Sequence, residues 1–385
     1  MSIFRAYDIR GIYGKDLTDD FAESLGKAFG STFKGRVVVG RDMRLSGKQL
    51  SDKFIEGLRS AGADVIDIGV VPTPVVYFAA NHFKYGNGVA VTASHNPPEY
   101  NGFKFIRDYA TLHGEQILAL KDLIDKDEFK KGQGGLLQRN VSLDYIAFVK
   151  EKVRLKKKIT VVVDSGNGMA GVLAPRLLRE LGCEVTELYS DLDGTFPNHD
   201  PDPTIDKNLS DLVKEVRKQK ADFGVGFDGD ADRAGFVDDK GRIIRGDQSL
   251  ILFARDILRK QKGAKIIYEV KCSKALEEEI IKNKGIPIMY RTGHSFIKQK
   301  IKEEKAALAG EMSGHFYFAD NYYGYDDGIY ATARMAELLS KTSESLSTMV
   351  DGMPKFYSTP EIRVDCPDEK KFQVVDAVTK AFKKK

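Results

Sequence analysis

One order of elements occurs three times in this chain, and it limits the fold more than any other feature. "RVVVG" at residues 36–40 is followed by the polar loop "RDMRLSG", a helical stretch "LSDKFIEGLRSAG" and a second apolar run, "ADVIDIG". "ITVVVD" at 159–164 leads through "SGNGMAG" and "VLAPRLLRELG" to "CEVTELY". "AKIIYEV" at 264–270 leads through "KCS" and "KALEEEIIKNKG" to "IPIMYRTG". In each middle stretch apolar residues recur every three or four positions and a glycine ends the run, as at a helix C-terminus. Strand, helix, strand in this order favours parallel pairing, because the helix carries the chain back to the same end of the sheet. The units differ in length, which argues against a solenoid of fixed period. The pattern predicts three related α/β domains with mixed sheets.

Each unit then offers one more strand that ends in a polar loop. These loops are "TASHNP" after "GVAV" (88–91), "DGDADR" (228–233) after "DFGVGF", and "GEMSGH" (310–315) after "KAALA". Ligands in open α/β sheets collect beyond the C-terminal ends of strands, so these loops are the candidate site. Domain boundaries are placed at 1–138, 139–246 and 247–353. The remainder, 354–385, is shorter than the ~50 residues at which domains usually begin.

Composition narrows the classes of function. A length of 385 residues suits two to four domains, and 42% hydrophobic content is enough to fill their cores. A formal net charge of +4 is too mild to argue for nucleic acid, and "KKK" at 156–158 and 383–385 reads as solvated surface. Cys183, Cys272 and Cys366 are far apart, so neither a disulfide framework nor a zinc site is expected. Arg5 and Asp8 interrupt any signal-like start, and no run approaches the ~18 apolar residues of a membrane span. A cytoplasmic protein with no membrane partner is expected.

The loops carry chemistry. Asp228, Asp230 and Asp232 alternate, so on an extended segment all three would face one ion, and a hard divalent cation would relieve their repulsion. An EF-hand is excluded, because Arg233 stands where its glycine belongs and Asp239 where its glutamate belongs. Mg²⁺ fits three oxygens that leave room for water and phosphate. In "TASHNPPEYNGFKF" (92–105), Pro97 and Pro98 end the preceding strand and stiffen the loop that carries Ser94. A serine-hydrolase reading fails on two counts. His95 and Ser94 should point to opposite sides of an extended loop, and no G-x-S-x-G elbow occurs. A serine beside a metal site makes better sense as a phosphoryl carrier, with Lys104 and Arg10 supplying charge or proton transfer. Gly166, Gly168 and Gly171, with Glu187 about 20 residues on, fit a dinucleotide fingerprint and hence a dehydrogenase. Three aspartates and Ser94 have no role in hydride transfer, so these glycines are read as a tight crossover loop. Glu311, Ser313 and His315 lie together between glycines, where glutamate and serine can bond neighbouring sugar hydroxyls. His294 opens a basic helix whose N-terminus suits an anion.

Together the stretches "FRAYDIRG", "TASHNPPEYNGFKF", "DGDADR", "VKCS", "TGHSFIK" and "GEMSGH" resemble the α-D-phosphohexomutases, most closely the phosphomannomutase/phosphoglucomutase branch. They occur in the family's order across residues 4 to 315. The resemblance implies four domains around a central cleft, three of them related, with 354–385 as part of a fourth, α+β domain. It implies interconversion of hexose 1-phosphate and hexose 6-phosphate of mannose or glucose, through a phosphoserine enzyme and a hexose 1,6-bisphosphate. Ser94 would carry the phosphoryl group and, with Asp228, Asp230 and Asp232, hold one Mg²⁺ per chain. Lys104, Arg10, His294 and His95 would be the other catalytic residues. Tyr7, Arg233, Lys271, Glu311, Ser313 and His315 would contact substrate, with Glu311 and Ser313 reading O3 and O4. Met312 stands where phosphoglucosamine mutases usually carry glutamine, which argues against an amino sugar. A monomer is expected, with a dimer as the alternative. The family's fourth-domain R-x-S-x-T-x-P phosphate loop does not occur; "YSTP" at 357–360 lacks the arginine and the spacing. A truncated fourth domain and weak turnover are therefore expected, with a non-catalytic phosphosugar-binding protein as the alternative.

Overall fold

All three repeats fold as parallel strand pairs. Arg36–Arg41 runs parallel to Asp64–Val70, Thr160–Asp164 to Glu184–Leu188, and Lys265–Glu269 to Ile286–Tyr290. The structure, a computed structural model, describes residues 3–356, 362, 364–367 and 370–383. The chain divides into two units, with the break after Pro354.

The first unit holds three mixed sheets. In the first, the strand order is Ile9–Ile12, Tyr100–Arg107, Gly88–Val91, Arg36–Arg41, Asp64–Val70 and Leu136–Gln138, with Ala110–Thr111 folded back on Tyr100–Arg107. The second runs Ile243–Ile244, Ala234–Asp238, Phe223–Phe227, Thr160–Asp164 and Glu184–Leu188. The third runs Ile286–Tyr290, Lys265–Glu269, Leu308–Gly310 and Phe316–Phe318. Each sheet is mixed for the same reason. A parallel strand (Gly88–Val91, Phe223–Phe227 or Leu308–Gly310) is followed by an antiparallel return strand. Each candidate loop is the link between the two. The same topological position thus presents a loop three times.

Helices cover the sheets. The helices Asp19–Ser31 and Gly47–Ser60 approach backbone to backbone: a Cβ on Gly57 would lie 2.0 Å from the Glu23 carbonyl oxygen. One apolar cluster contains Val38, Val161 and Ile266, a residue from a central strand of each sheet, so the three sheets share a core. A second cluster, with Phe29, Phe54, Phe103 and Phe105, fills the other face of the first sheet. Gly182, at φ +100°, ends the helix Ala170–Leu181 as expected. The third repeat differs. Lys284, at φ +65°, takes the left-handed position after the helix Lys274–Lys282. Gly285 is needed for space instead, since a Cβ there would meet Leu258 Cδ1 at 2.6 Å.

In the second unit the described helix Lys371–Phe382 has no buried residue, and Phe372 is 74% exposed. Ile362 and Phe356 are exposed too. "YSTP" at 357–360 lies outside the described residues. Among the described residues no helix is long and apolar enough to cross a membrane.

Candidate active site

The serine loop leaves the end of Gly88–Val91 and turns at once. Ser94 adopts φ +53° and is 1% exposed, and its Oγ donates to Asp228 Oδ2 at 2.7 Å. His95 Nδ1 lies 3.3 Å from Ser94 Oγ. This corrects the expectation that the two side chains diverge. Alternation holds for extended backbone only, and a left-handed serine breaks it.

The three aspartates converge, though by a different route from the one expected. The segment is a tight turn, with Ala231 at φ +62° and its N–H donating to the Asp228 carbonyl at 3.1 Å. Asp228, Asp230 and Asp232 are fully buried, and one oxygen of each lies within 4.8 Å of the others. Lys104 Nζ donates to Asp230 Oδ2 at 2.7 Å and to Asp232 Oδ2 at 2.6 Å. Thr73 Oγ1 donates to Asp230 Oδ2 at 2.6 Å. Burial pushes Asp228 well above the usual carboxylate range, reinforced by Asp232 and Asp230. Burial and Asp232 work against ionising Asp230, yet the Lys104 ammonium holds it below that range. Lys104 itself is raised despite burial, by Asp230 and Asp232. Among the described residues, Asp230 Oδ1 and Asp232 Oδ1 are buried without a hydrogen-bond partner. Orphaned carboxylate oxygens in an all-oxygen set fit a hard divalent cation. A second group, Asp232, His315 and Asp326, also brings donor atoms within 4.8 Å. There Arg233 and Lys298 already supply cations, to His315 Nε2 at 3.1 Å and Asp326 Oδ1 at 2.8 Å.

The glycine loop braces this turn. Met169 N–H donates to the Gly229 carbonyl at 2.9 Å, and a Cβ on Gly168 would lie 2.9 Å from that oxygen. A Cβ on Gly171 would lie 2.1 Å from the Ser190 carbonyl oxygen. Glu187 is paired with Arg179 at 2.6 Å. Protein backbone packs against these glycines, so they serve close packing, as the crossover-loop reading expects.

Arg233 joins the loops. Its Nη2 lies 2.9 Å from His95 Nδ1, and its Nε donates to His315 Nε2 at 3.1 Å. A guanidinium only donates, so both ring nitrogens accept. Burial first, then the Arg233 charge, hold His95 down to about 3. His294 Nδ1 lies 3.1 Å from Lys298 Nζ, and burial with that ammonium holds His294 well below its ordinary value. Neutral His95 and His294 therefore carry their proton on Nε2 and offer N–H groups. Arg10 donates to Asp8 Oδ2 and Asn96 Oδ1 beside the serine loop. Tyr7 packs edge-on to His294, ring centroids 5.7 Å apart. Glu311 accepts from Gly293 N–H at 2.8 Å and Tyr317 Oη at 2.5 Å, and burial raises its pKa. Ser313 is half-buried, and Lys271 is exposed with Nζ 3.6 Å from Glu269 Oε1. Among the described residues, Ser313 has no hydrogen bond to the Ser94–aspartate cluster. Sequence reasoning missed Thr73, Lys298, Asp326 and the buried pair Asp42 and Arg44, whose guanidinium donates to the Ser94 carbonyl at 2.8 Å. "GRDMR" after the first strand was the available signal for the last two.

Profiles of the phosphoglucomutase/phosphomannomutase family match in order: α/β/α domain I at residues 1–131, domain II at 143–241 and domain III at 245–357. The chain is 46% identical to a phosphomannomutase/phosphoglucomutase of Pseudomonas aeruginosa over 98% of its length and 82% of that protein. It is 45% identical to a phosphoglucomutase of Neisseria gonorrhoeae, over 95% of this chain and 81% of that one. A crystal structure of a phosphoglucomutase/phosphomannomutase family protein from Burkholderia thailandensis superposes with a TM-score of 0.90 at 46% identity, covering 93% of this chain and 81% of that one.

Proposed function

This chain belongs to the phosphoglucomutase/phosphomannomutase family and is a phosphohexomutase, and we propose that it acts on mannose and glucose phosphates with Ser94 as the phosphoryl carrier. The observation that carries this reading is Ser94 Oγ at 2.7 Å from Asp228, in a turn whose other two aspartates share the Lys104 ammonium. A non-catalytic sugar-phosphate binder is not favoured, given relatives named as mutases at 45–46% identity over most of the chain.

In the proposed cycle, the phosphoryl group leaves Ser94 Oγ as a hydroxyl oxygen of the hexose phosphate bonds to phosphorus. The hydroxyl proton passes to Ser94 Oγ. The resulting 1,6-bisphosphate reverses its orientation and returns its other phosphoryl group to Ser94. Such transfer is loose, so the protein's main task is alignment and cancelling charge. Lys104, Arg233 and Arg10 supply fixed positive charge, while His95 and His294 offer N–H groups to phosphoryl oxygens. Asp228, Asp230, Asp232 and the oxygen on Ser94 would hold one Mg²⁺, which when bound adds positive charge at the transferring group. All of these groups lie in one chain, which fits action as a monomer, and action on soluble sugar phosphates fits an enzyme of the cytoplasm.

Glu311 and Ser313 would read O3 and O4, which have the same configuration in mannose and glucose, so the difference at O2 goes largely unread. Tyr7, His315 and Lys271 complete the substrate contacts. A coupled assay with glucose 1-phosphate, mannose 1-phosphate and glucosamine 1-phosphate tests this. The first two should agree in kcat/KM within about tenfold, the range expected where one hydroxyl is not specifically read. Preference for glucosamine 1-phosphate over both would contradict it.

A further inference from the structure

The peptide groups on both sides of Ser94 are tied to one buried ion pair. Ser94 N–H donates to Thr92 Oγ1 at 2.9 Å, and the Thr92 hydroxyl donates to Asp42 Oδ2 at 2.6 Å. The Ser94 carbonyl accepts from Arg44 Nη2 at 2.8 Å. The same guanidinium donates to the carbonyls of Asn96 at 2.6 Å, Pro97 at 2.7 Å and Tyr100 at 2.9 Å. Arg44 Nε lies 3.2 Å from Asp42 Oδ2, and both side chains are buried. A guanidinium presents its donors in a fixed planar fork, so four carbonyls held by one group fix the shape of a loop.

Ser94 needs that grip. A left-handed conformation is uncommon for a residue other than glycine and persists only where its surroundings over-determine it. From the second sheet's side, the Phe196 ring lies over Arg44, 5.3 Å from Cζ to centroid. Gly229 approaches so closely that a Cβ there would be 2.4 Å from the Ser94 carbonyl oxygen. The main chain of Ser94 is thus held on two sides while its Oγ points at Asp228.

We propose that the Asp42–Arg44 pair, through Thr92 and the loop carbonyls, is the positioning device that sets Ser94 in its reactive geometry. The proposal rests on Ser94 as phosphoryl carrier. Neither residue is placed at the substrate; both act through the backbone of Ser94. Thr92→Val removes one link at nearly constant volume, Thr92→Ser keeps the hydroxyl, and Arg44→Lys keeps the charge without the fork.

The experiment follows Ser94 phosphorylation by rapid quench over a range of glucose 1,6-bisphosphate concentrations, with the melting temperature of each variant recorded. Thr92→Val and Arg44→Lys should lower the maximal rate by about 10- to 100-fold, as a misplacement near 1 Å does. Half-saturation should stay within about threefold, the sign of an interaction that serves transfer rather than ground-state binding. Thr92→Ser should restore the rate. Wild-type rates in folded Thr92→Val, or no rescue by Thr92→Ser, overturn the proposal; if Arg44→Lys does not fold, the Thr92 variants alone decide. A wild-type chain that takes no phosphoryl group on Ser94 defeats the reading of the site itself, and the proposal with it.

Discussion

Lys104 Nζ lies between Asp230 and Asp232 with 4% of its side chain exposed, so water cannot stand in for it. Removing one partner of a buried charge pair costs about 3–5 kcal/mol, because the other is left uncompensated. Lys104→Met should lower stability on that scale in urea unfolding with EDTA present. Added Mg²⁺ should recover part of the loss, since a cation held by the same carboxylates restores the balance. Equal stability of the variant and wild type in EDTA would show that the pair does not carry this charge. The alternate spacing of the aspartates was legible in the sequence because carboxylates so close must share a cation. Two residue-level features were not. A left-handed serine cannot be read from "TASHNPP", so the approach of His95 to Ser94 was hidden. Thr73 and Asp230 are 157 residues apart, and only the fold brings them together.

At the scale of elements, the parallel pairs were legible because helix periodicity and strand runs recur in the same order. The return strands were harder. Tyr100–Arg107 is buried on both faces and so lacks the alternation that marks a half-buried strand. The close approach of helices Asp19–Ser31 and Gly47–Ser60 also escapes periodicity, since it depends on which residue lacks a side chain. Gly57→Ala places a Cβ 2.0 Å from the Glu23 carbonyl oxygen, and overpacking of this kind costs about 1–3 kcal/mol. A lowered urea midpoint with unchanged slope is expected; an unchanged midpoint would contradict the packing. A second element-scale prediction concerns pH. His199 Nε2 lies 3.1 Å from Asp164 Oδ1, joining the loop after Glu184–Leu188 to the end of Thr160–Asp164. Burial opposes the charge on His199, but the hydrogen bond and charge of Asp164 hold its pKa above 6.5. A raised value in the folded state means the imidazolium stabilises the fold fully below pH 6.5, and that gain is lost as pH rises through the folded value. Melting temperatures of wild type and His199→Gln should therefore differ most below pH 6.5 and converge at alkaline pH. A gap that widens with rising pH would reverse the sign.

Across the molecule, three sheets with one shared apolar cluster present three loops at equivalent positions, and two of those loops meet at Ser94 and Asp228. The presence of three α/β units was legible from repetition alone. Their convergence was not, because nothing in the spacing of residues 94, 228 and 311 states that the loops face one another; only the family resemblance implied it. Arg233 is the clearest case, a single side chain that reaches His95 of one loop and His315 of another. The account's central claim is that this convergence makes Ser94 a phosphoryl carrier. The most direct measurement is intact mass followed by peptide mapping, after incubating the chain and its Ser94→Ala variant with glucose 1,6-bisphosphate and Mg²⁺. The account predicts one added phosphoryl group on wild type, mapped to Ser94, and none on Ser94→Ala. A phosphoryl group on another residue, equal labelling of the variant, or no labelling of wild type would contradict it.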